Sequence, residues 1–198
     1  MNYLAHLLFA ESTPESLMAN LMGDFVKGRL AADWHPALRP GVLLHRQIDA
    51  FTDSNPMFLR SASRFSNRRR RFAGIILDIC YDHFLSRHWD RFHDQPRSEF
   101  IARCYQLLER YRGYQPETMQ RPLRLMLDQD WLSAYADADK IVLVLDRVAH
   151  RLRRPEPMLG AGEEFLQHYS GLEQDFLDFF PELMTFVCSR KQSAIPSV

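Results

Sequence analysis

The sequence predicts an all-α fold, and three observations carry that prediction. Apolar residues recur at three- and four-residue spacings along nearly the whole chain. Period-two alternation and Asn-Gly or Asp-Gly hairpin turns are missing. Prolines, glycines and capping residues divide the chain into segments of helical length. No internal repeat, low-complexity block or long linker interrupts the pattern, so the expectation is one helical bundle over residues 1–191. Residues 192–198 read as a C-terminal tail.

Each element has a local reason. A short helix is expected over residues 2–9. A second is expected over 14–31, where Ser12 or Thr13 supplies a cap and Pro14 suits the first turn. A third starts near Pro40 and runs through Phe51, until Asp53-Ser54-Asn55-Pro56 interrupts or ends it. The segment 57–92 reads as two helices, or as one kinked near Gly74. Residues 98–112 form another, closed by Gly113. Helices over 117–135, 137–153 and 163–190 follow, with Pro155 and Pro157 as breakers and Pro181 kinking or splitting the last.

Composition narrows the partners. The 198 residues are 46% hydrophobic and 25% charged, as in ordinary globular proteins. Basic and acidic residues balance to zero, so no global field draws the chain to nucleic acid or membrane, and neither is expected as a partner. Cys80, Cys104 and Cys188 are scattered and odd in number, which fits a reduced, cytoplasmic protein. The apolar N-terminus lacks a basic leader, and no stretch approaches the roughly 18 apolar residues of a membrane span. A glycine-rich phosphate loop, a dinucleotide fingerprint and a Gly-x-Ser-x-Gly elbow are missing, which counts against nucleotide-binding folds and serine nucleophiles.

The candidate chemistry begins with Asp78 and Asp82. They interrupt the apolar stretch 74–85, where ionised carboxylates are rare unless compensated. Four-residue spacing places them on one helix face, and a cation would turn their repulsion into binding. His45 and Asp49 repeat that spacing beside Leu44 and Ile48, and so do Asn20 and Asp24. Packing three such helices face to face gathers ligands around one point. The bland alternative for each pair is a surface hydrogen bond or salt bridge. His83 reads as a further ligand, or as a group that orients one. Carboxylates and imidazoles without thiolates suit Mn²⁺, Mg²⁺, Fe²⁺ or Zn²⁺, and the carboxylate-rich set favours Mn²⁺. His6, in an apolar run, reads by default as a buried, hydrogen-bonded histidine. Asp146 and His150, among arginines, read as a solvated face.

A second feature is basic. Residues 54–77 contain Arg60, Arg64, Arg68, Arg69, Arg70 and Arg71 and no acid. Arginine forks bind phosphate and carboxylate, so Arg68 to Arg71 are candidates for docking an anionic partner, and Arg46 for contacting phosphate near the metal. The bland alternative is a solvated helix face.

These residues carry a resemblance. The blocks Met1-Asn2-Tyr3-Leu4-Ala5-His6-Leu7, Gly23-Asp24-Phe25-Val26-Lys27-Gly28, 44–53, 70–75 and 78–85 are similar, in order and spacing, to the acyl carrier protein phosphodiesterases. The resemblance implies a divergent, distorted member of the HD phosphohydrolase class, all-helical, with a divalent metal, Mn²⁺ expected. It further implies hydrolysis of the phosphodiester joining 4′-phosphopantetheine to a serine of holo-acyl carrier protein, a small acidic partner. The spaced pairs on three helices make Asp24, His45, Asp49, Asp78 and Asp82 the expected ligands, with His83 as a further ligand or proton-transfer group and Arg46 beside the phosphate. Two positions depart from the pattern: Asp82-His83 replaces an adjacent His-Asp, and Asn55 stands where Thr-Asp-x-His-Pro has histidine. The rival readings are a nucleotidase or cyclic-nucleotide phosphodiesterase, and a non-catalytic helical adaptor for acidic partners. Trp131, Tyr135 and Phe165 are candidates to line a groove for the pantetheine arm, with core packing as the alternative.

Overall fold

The computed structural model describes residues 1–30, 34–111, 113 and 115–193. Among them are eleven α-helices and no strand, the all-α architecture expected from the periodicity. No helix among the described residues is long and apolar enough to cross a membrane. The helices gather into two compact units interleaved along the chain. One comprises Met1–Asn2, Ala50–Arg87 and Ala134–Val198, the other Tyr3–Asp49 and His88–Ser133.

The unit that holds Tyr3–Asp49 begins with α1 (Tyr3–Phe9) and α2 (Pro14–Met22). Thr13 caps α2, its side chain accepting from the Ser16 amide. The second helix ends nine residues before its expected limit of 31. Its chain turns at Met22, whose carbonyl accepts from the amides of both Phe25 and Val26. Asp24 therefore lies in a turn, and Asn20 and Asp24 do not share a helix face. The third helix, α3 (Arg39–Ser54), carries the unit's last residues before Ala50. Later come α6 (Arg97–Arg110), α7 (Glu117–Asp128) and α8 (Trp131–Ala134). The expected single helix over 117–135 is two, because Asp130 adopts a left-handed φ of 48° that helix propagation does not allow. The proposed end of α6 at Arg112 lies outside the described residues. Leu4, Leu7, Met18, Leu21, Val42, Phe100 and Leu108 are buried and form this unit's core.

The other unit contains α4 (Pro56–Arg64) and α5 (Ala73–Arg87), separated by an extended Phe65 and a 3-10 turn over Arg70–Phe72. The break falls before Gly74, which sits inside α5. Asn55 caps α4: its Oδ1 accepts from the Met57 amide and its Nδ2 donates to Glu182. The unit closes with α9 (Ala138–Ala149), α10 (Ala161–Gln167) and α11 (Tyr169–Ser193). The helix expected over 163–190 divides at His168, whereas Pro181 leaves α11 continuous. An interior proline costs about 3 kcal/mol; the burial of Phe176, Phe179, Phe180, Leu183 and Val187 along the same helix outweighs it. Of the expected tail, residues 192–193 belong to α11 and 194–198 lie outside the described residues.

A buried carboxylate ties α4 to α11. Asp175 is 1% exposed and accepts from Arg60 Nε at 2.6 Å, Arg64 Nε at 2.7 Å and Ser61 Oγ at 2.9 Å. Tyr81 in α5 joins through a 2.9 Å hydroxyl contact with Ser61, and its ring meets Phe58 and Phe176 edge-on. Burial raises the Asp175 carboxyl, but its bonds to Arg64 and Ser61 outweigh that and hold it below the usual carboxylate range. The Tyr135 and Phe165 side chains are buried, as core packing requires.

Candidate metal centre

Two helices and a turn of one unit converge on a small polar cluster. The α1 helix contributes His6, fully buried on the helix's apolar side. The α3 helix contributes His45, 2% exposed, and one turn on Asp49, 37% exposed. The turn after α2 contributes Asp24. One ligand atom each of His6, His45 and Asp49 lie within 4.8 Å of one another. His6 Nε2 stands 3.2 Å from Asp49 Oδ1, and His45 Nε2 stands 3.0 Å from Asp49 Oδ2 and 3.5 Å from Asp24 Oδ1. The two imidazoles stack with centroids 3.8 Å apart.

The orientation of His45 has two causes. Its Nδ1–H donates to the backbone carbonyl of Asn20 at 2.6 Å, which turns Nε2 toward the carboxylates. The ring also lies directly over Gly23, where a Cβ would fall 2.1 Å from its Cγ. Only glycine leaves that space. The Asn20 side chain bonds back to the Ser16 carbonyl, so Asn20 serves through its backbone.

Electrostatics follow from this packing. Burial lowers the His45 pKa, but hydrogen bonds to Asp24 and Asp49 outweigh it and raise the value to about 9. Burial and the adjacent His45 lower that of His6. Burial also raises both aspartates, yet their bonds to His45 carry Asp24 and Asp49 below the usual range, Asp49 strongly. The result is a single positive position between imidazole nitrogens and carboxylate oxygens. A proton or a divalent cation can hold it, and a cation must displace the proton.

The donor set fits a metal. Two ligands about 2.1 Å from one ion stand roughly 3–4 Å apart, and the nitrogen–oxygen separations here fall within that span. A ligating histidine characteristically donates its other N–H to a carbonyl, as His45 does. Nitrogen and carboxylate donors without thiolate suit borderline and hard divalent ions. An open pocket of about 260 Å³ adjoins the cluster, lined by Asp24, His45 and Asp49 and by two cations, Lys27 and Arg46. Arg46 is half-buried and donates from Nη2 to the Val26 carbonyl at 2.9 Å, so α3 grips the segment that carries Asp24.

The structure thus brings together Asp24, His45, Asp49 and Arg46 of the expected set and adds His6, which is buried and hydrogen-bonded as expected, with Asp49 as its partner. Its signal was the same as that of His45: an imidazole inside an apolar run. Asp78 and Asp82 belong to the other unit. Asp82 is fully buried on α5, while Asp78 is about one-third exposed and sits 2.9 Å from the α-ammonium of Met1. Both ring nitrogens of His83 are engaged, Nδ1 with the Tyr135 carbonyl and Nε2 with the Tyr169 hydroxyl, each at 2.7 Å. The neutral ring satisfies both, donating from Nδ1 and accepting at Nε2. Arg69 is likewise committed, pairing with Glu164 at 2.5 Å, whereas Arg68, Arg70 and Arg71 are exposed.

Comparison with known proteins gives a consistent result. The family profile described as "Acyl carrier protein phosphodiesterase" matches residues 1–183. The chain is 36% identical over 187 residues to an acyl carrier protein phosphodiesterase of Photorhabdus laumondii, covering 93% of each. It is 37% identical over 188 residues to one of Escherichia coli O6:H1, and 34% identical over 186 to one of Yersinia enterocolitica. Each match covers 93% of this chain and 96% of the relative. No solved structure matches the chain significantly.

Proposed function

We propose, because the chain belongs to the acyl carrier protein phosphodiesterase family, that it uses a divalent metal, Mn²⁺ by preference, to release 4′-phosphopantetheine from holo-acyl carrier protein. The bond broken is the phosphodiester to the carrier's serine, and apo-carrier protein is the other product. On this reading the fold is a distorted relative of the HD phosphohydrolases. The single observation that carries the metal dependence is the His6, His45 and Asp49 cluster, with Asp24 in reach, at the edge of an open pocket.

The ligands in this proposal are His6, His45, Asp49 and Asp24. When bound there, a divalent ion supplies Lewis acidity toward a phosphoryl oxygen and a water acidified toward neutral pH. The chain's own residues do the rest. Asn20 and Gly23 hold His45 in one tautomer and one orientation. Lys27 and Arg46 place positive charge on the pocket wall, where a phosphodiester's non-bridging oxygens need it. For Asp78 and Asp82 the proposal is narrower: each carboxylate is needed for turnover, so Asp78→Asn and Asp82→Asn remove activity while the helix stays folded.

The test is direct. Purified protein is incubated with holo-acyl carrier protein and, separately, with nucleotides, and products are weighed by mass spectrometry. Loss of the phosphopantetheine mass from the carrier, abolished by chelation and restored by Mn²⁺, is the expected result. Full activity after chelation and metal-free dialysis rejects the metal. Turnover of nucleotides with an untouched carrier rejects the substrate.

A further inference from the structure

The fold merges two arginine clusters that are far apart in the chain, and we propose that the merged surface docks an acidic face of the carrier protein. The inference rests on the reading above, in which that protein is the substrate. Four contacts clasp residues 66–69 onto 156–164. The Ser66 amide donates to Glu164 Oε2 at 2.8 Å, and Arg69 pairs with Glu164 Oε1 at 2.5 Å. Arg69 Nη2 donates to the Leu159 carbonyl at 2.6 Å, and Arg68 Nη2 donates to the Glu156 carbonyl.

Just beyond the clasp on one strand of chain lie Arg70 and Arg71, and just before it on the other lie Arg153 and Arg154. All four are exposed. Successive Cα atoms are 3.8 Å apart, so Arg70 lies within ~8 Å of clasped Arg68, and Arg154 within ~8 Å of clasped Glu156. The two clusters therefore flank one clasp. Glu164 is neutralised by Arg69, which leaves Glu156, Glu163 and Asp146, whose Oδ1 accepts from the Gly160 amide, against Arg68, Arg70, Arg71, Arg153 and Arg154. In a chain of zero net charge this is a concentrated positive field.

The chemistry of the patch selects its occupant. Residues 66–71 and 151–160 contain no aromatic side chain on which a base could stack, which disfavours single-stranded nucleic acid. Exposed guanidiniums on a protein-processing enzyme suit carboxylates of the protein substrate. Such rim charges act chiefly on association rate and partner choice, so they set KM and leave the chemical step alone.

Two charge-reversed proteins test this, Arg70→Glu with Arg71→Glu, and Arg153→Glu with Arg154→Glu. At low salt each is expected to raise KM for holo-carrier protein roughly tenfold, with kcat and Mn²⁺-supported hydrolysis of bis(p-nitrophenyl) phosphate unchanged. An unaltered KM in the Arg153/Arg154 protein overturns the proposal. A measurement on the unsubstituted chain guards against misfolding: phenylglyoxal labelling of arginines, read by mass spectrometry. Carrier protein should shield Arg70, Arg71, Arg153 and Arg154 together. Equal labelling of Arg153 and Arg154 with and without carrier overturns the proposal, as does shielding by a DNA oligonucleotide and not by carrier. Shielding without hydrolysis of the carrier would reject the catalytic reading and keep the surface; hydrolysis without shielding would do the reverse.

Discussion

His45 shows how its surroundings aim a side chain at a candidate site. The Asn20 carbonyl fixes its tautomer, Gly23 gives it room, and two carboxylates face its free nitrogen. Gly23→Ala should therefore damage the site without touching a ligand. The new Cβ forces the ring away, and Mn²⁺ affinity, measured by calorimetry, should fall roughly 10- to 100-fold while the helical circular dichroism persists. His6→Gln should weaken Mn²⁺ binding to a comparable extent if it is a ligand; unchanged affinity would return it to the core. Sequence spacing found His45 and Asp49 because both lie on one continuous helix. It set Asp24 beside Asn20 on one helix face, whereas the residue reaches His45 from a turn. The contributions of Gly23 and of the Asn20 backbone depend on inter-helix distances, which no one-dimensional pattern contains.

At the level of elements, the Asp175 network decides whether α4 stays on α11. Replacing Arg60 and Arg64 together by methionine leaves a 1%-exposed carboxylate without its cations. The double change should cost about 3–5 kcal/mol in urea unfolding, more than the two single changes added, because either arginine alone still answers the charge. The pH dependence has a definite sign. The folded-state pKa of Asp175 lies below its ordinary 3.8, so the unfolded chain takes up the proton first. Its stabilisation is complete above about pH 4 and disappears as pH falls through the folded value. Asp175→Asn should flatten that acid limb of the stability curve. The helices themselves were legible from periodicity, as was a cap at Ser12 or Thr13, which is Thr13 in the structure. Their interruptions were less so. Pro181 looked like a breaker and is not, whereas Asp130 and His168 end helices without any strong breaker residue. Tertiary burial overrides the local preference in the first case, and single backbone dihedrals decide the others.

Across the whole molecule, metal binding and folding should be linked. An ion that binds the assembled His6, His45 and Asp49 set and not the unfolded chain adds about 2.7 kcal/mol at a concentration a hundred times its Kd. Mn²⁺ should then raise Tm of the natural protein by several degrees and leave that of Asp49→Ala unmoved. An equal rise in both proteins would show that the ion acts elsewhere.

Interleaving imposes an order of assembly on the growing chain. Arg60 emerges 115 residues before the Asp175 it binds, an interval of roughly 6–23 s at ribosomal speeds. Throughout that wait α4 and α5 have no α11 to cover Phe58, Tyr81 and Phe84. The nascent polypeptide must spend those seconds sheltered by a chaperone or risk sticking to its neighbours.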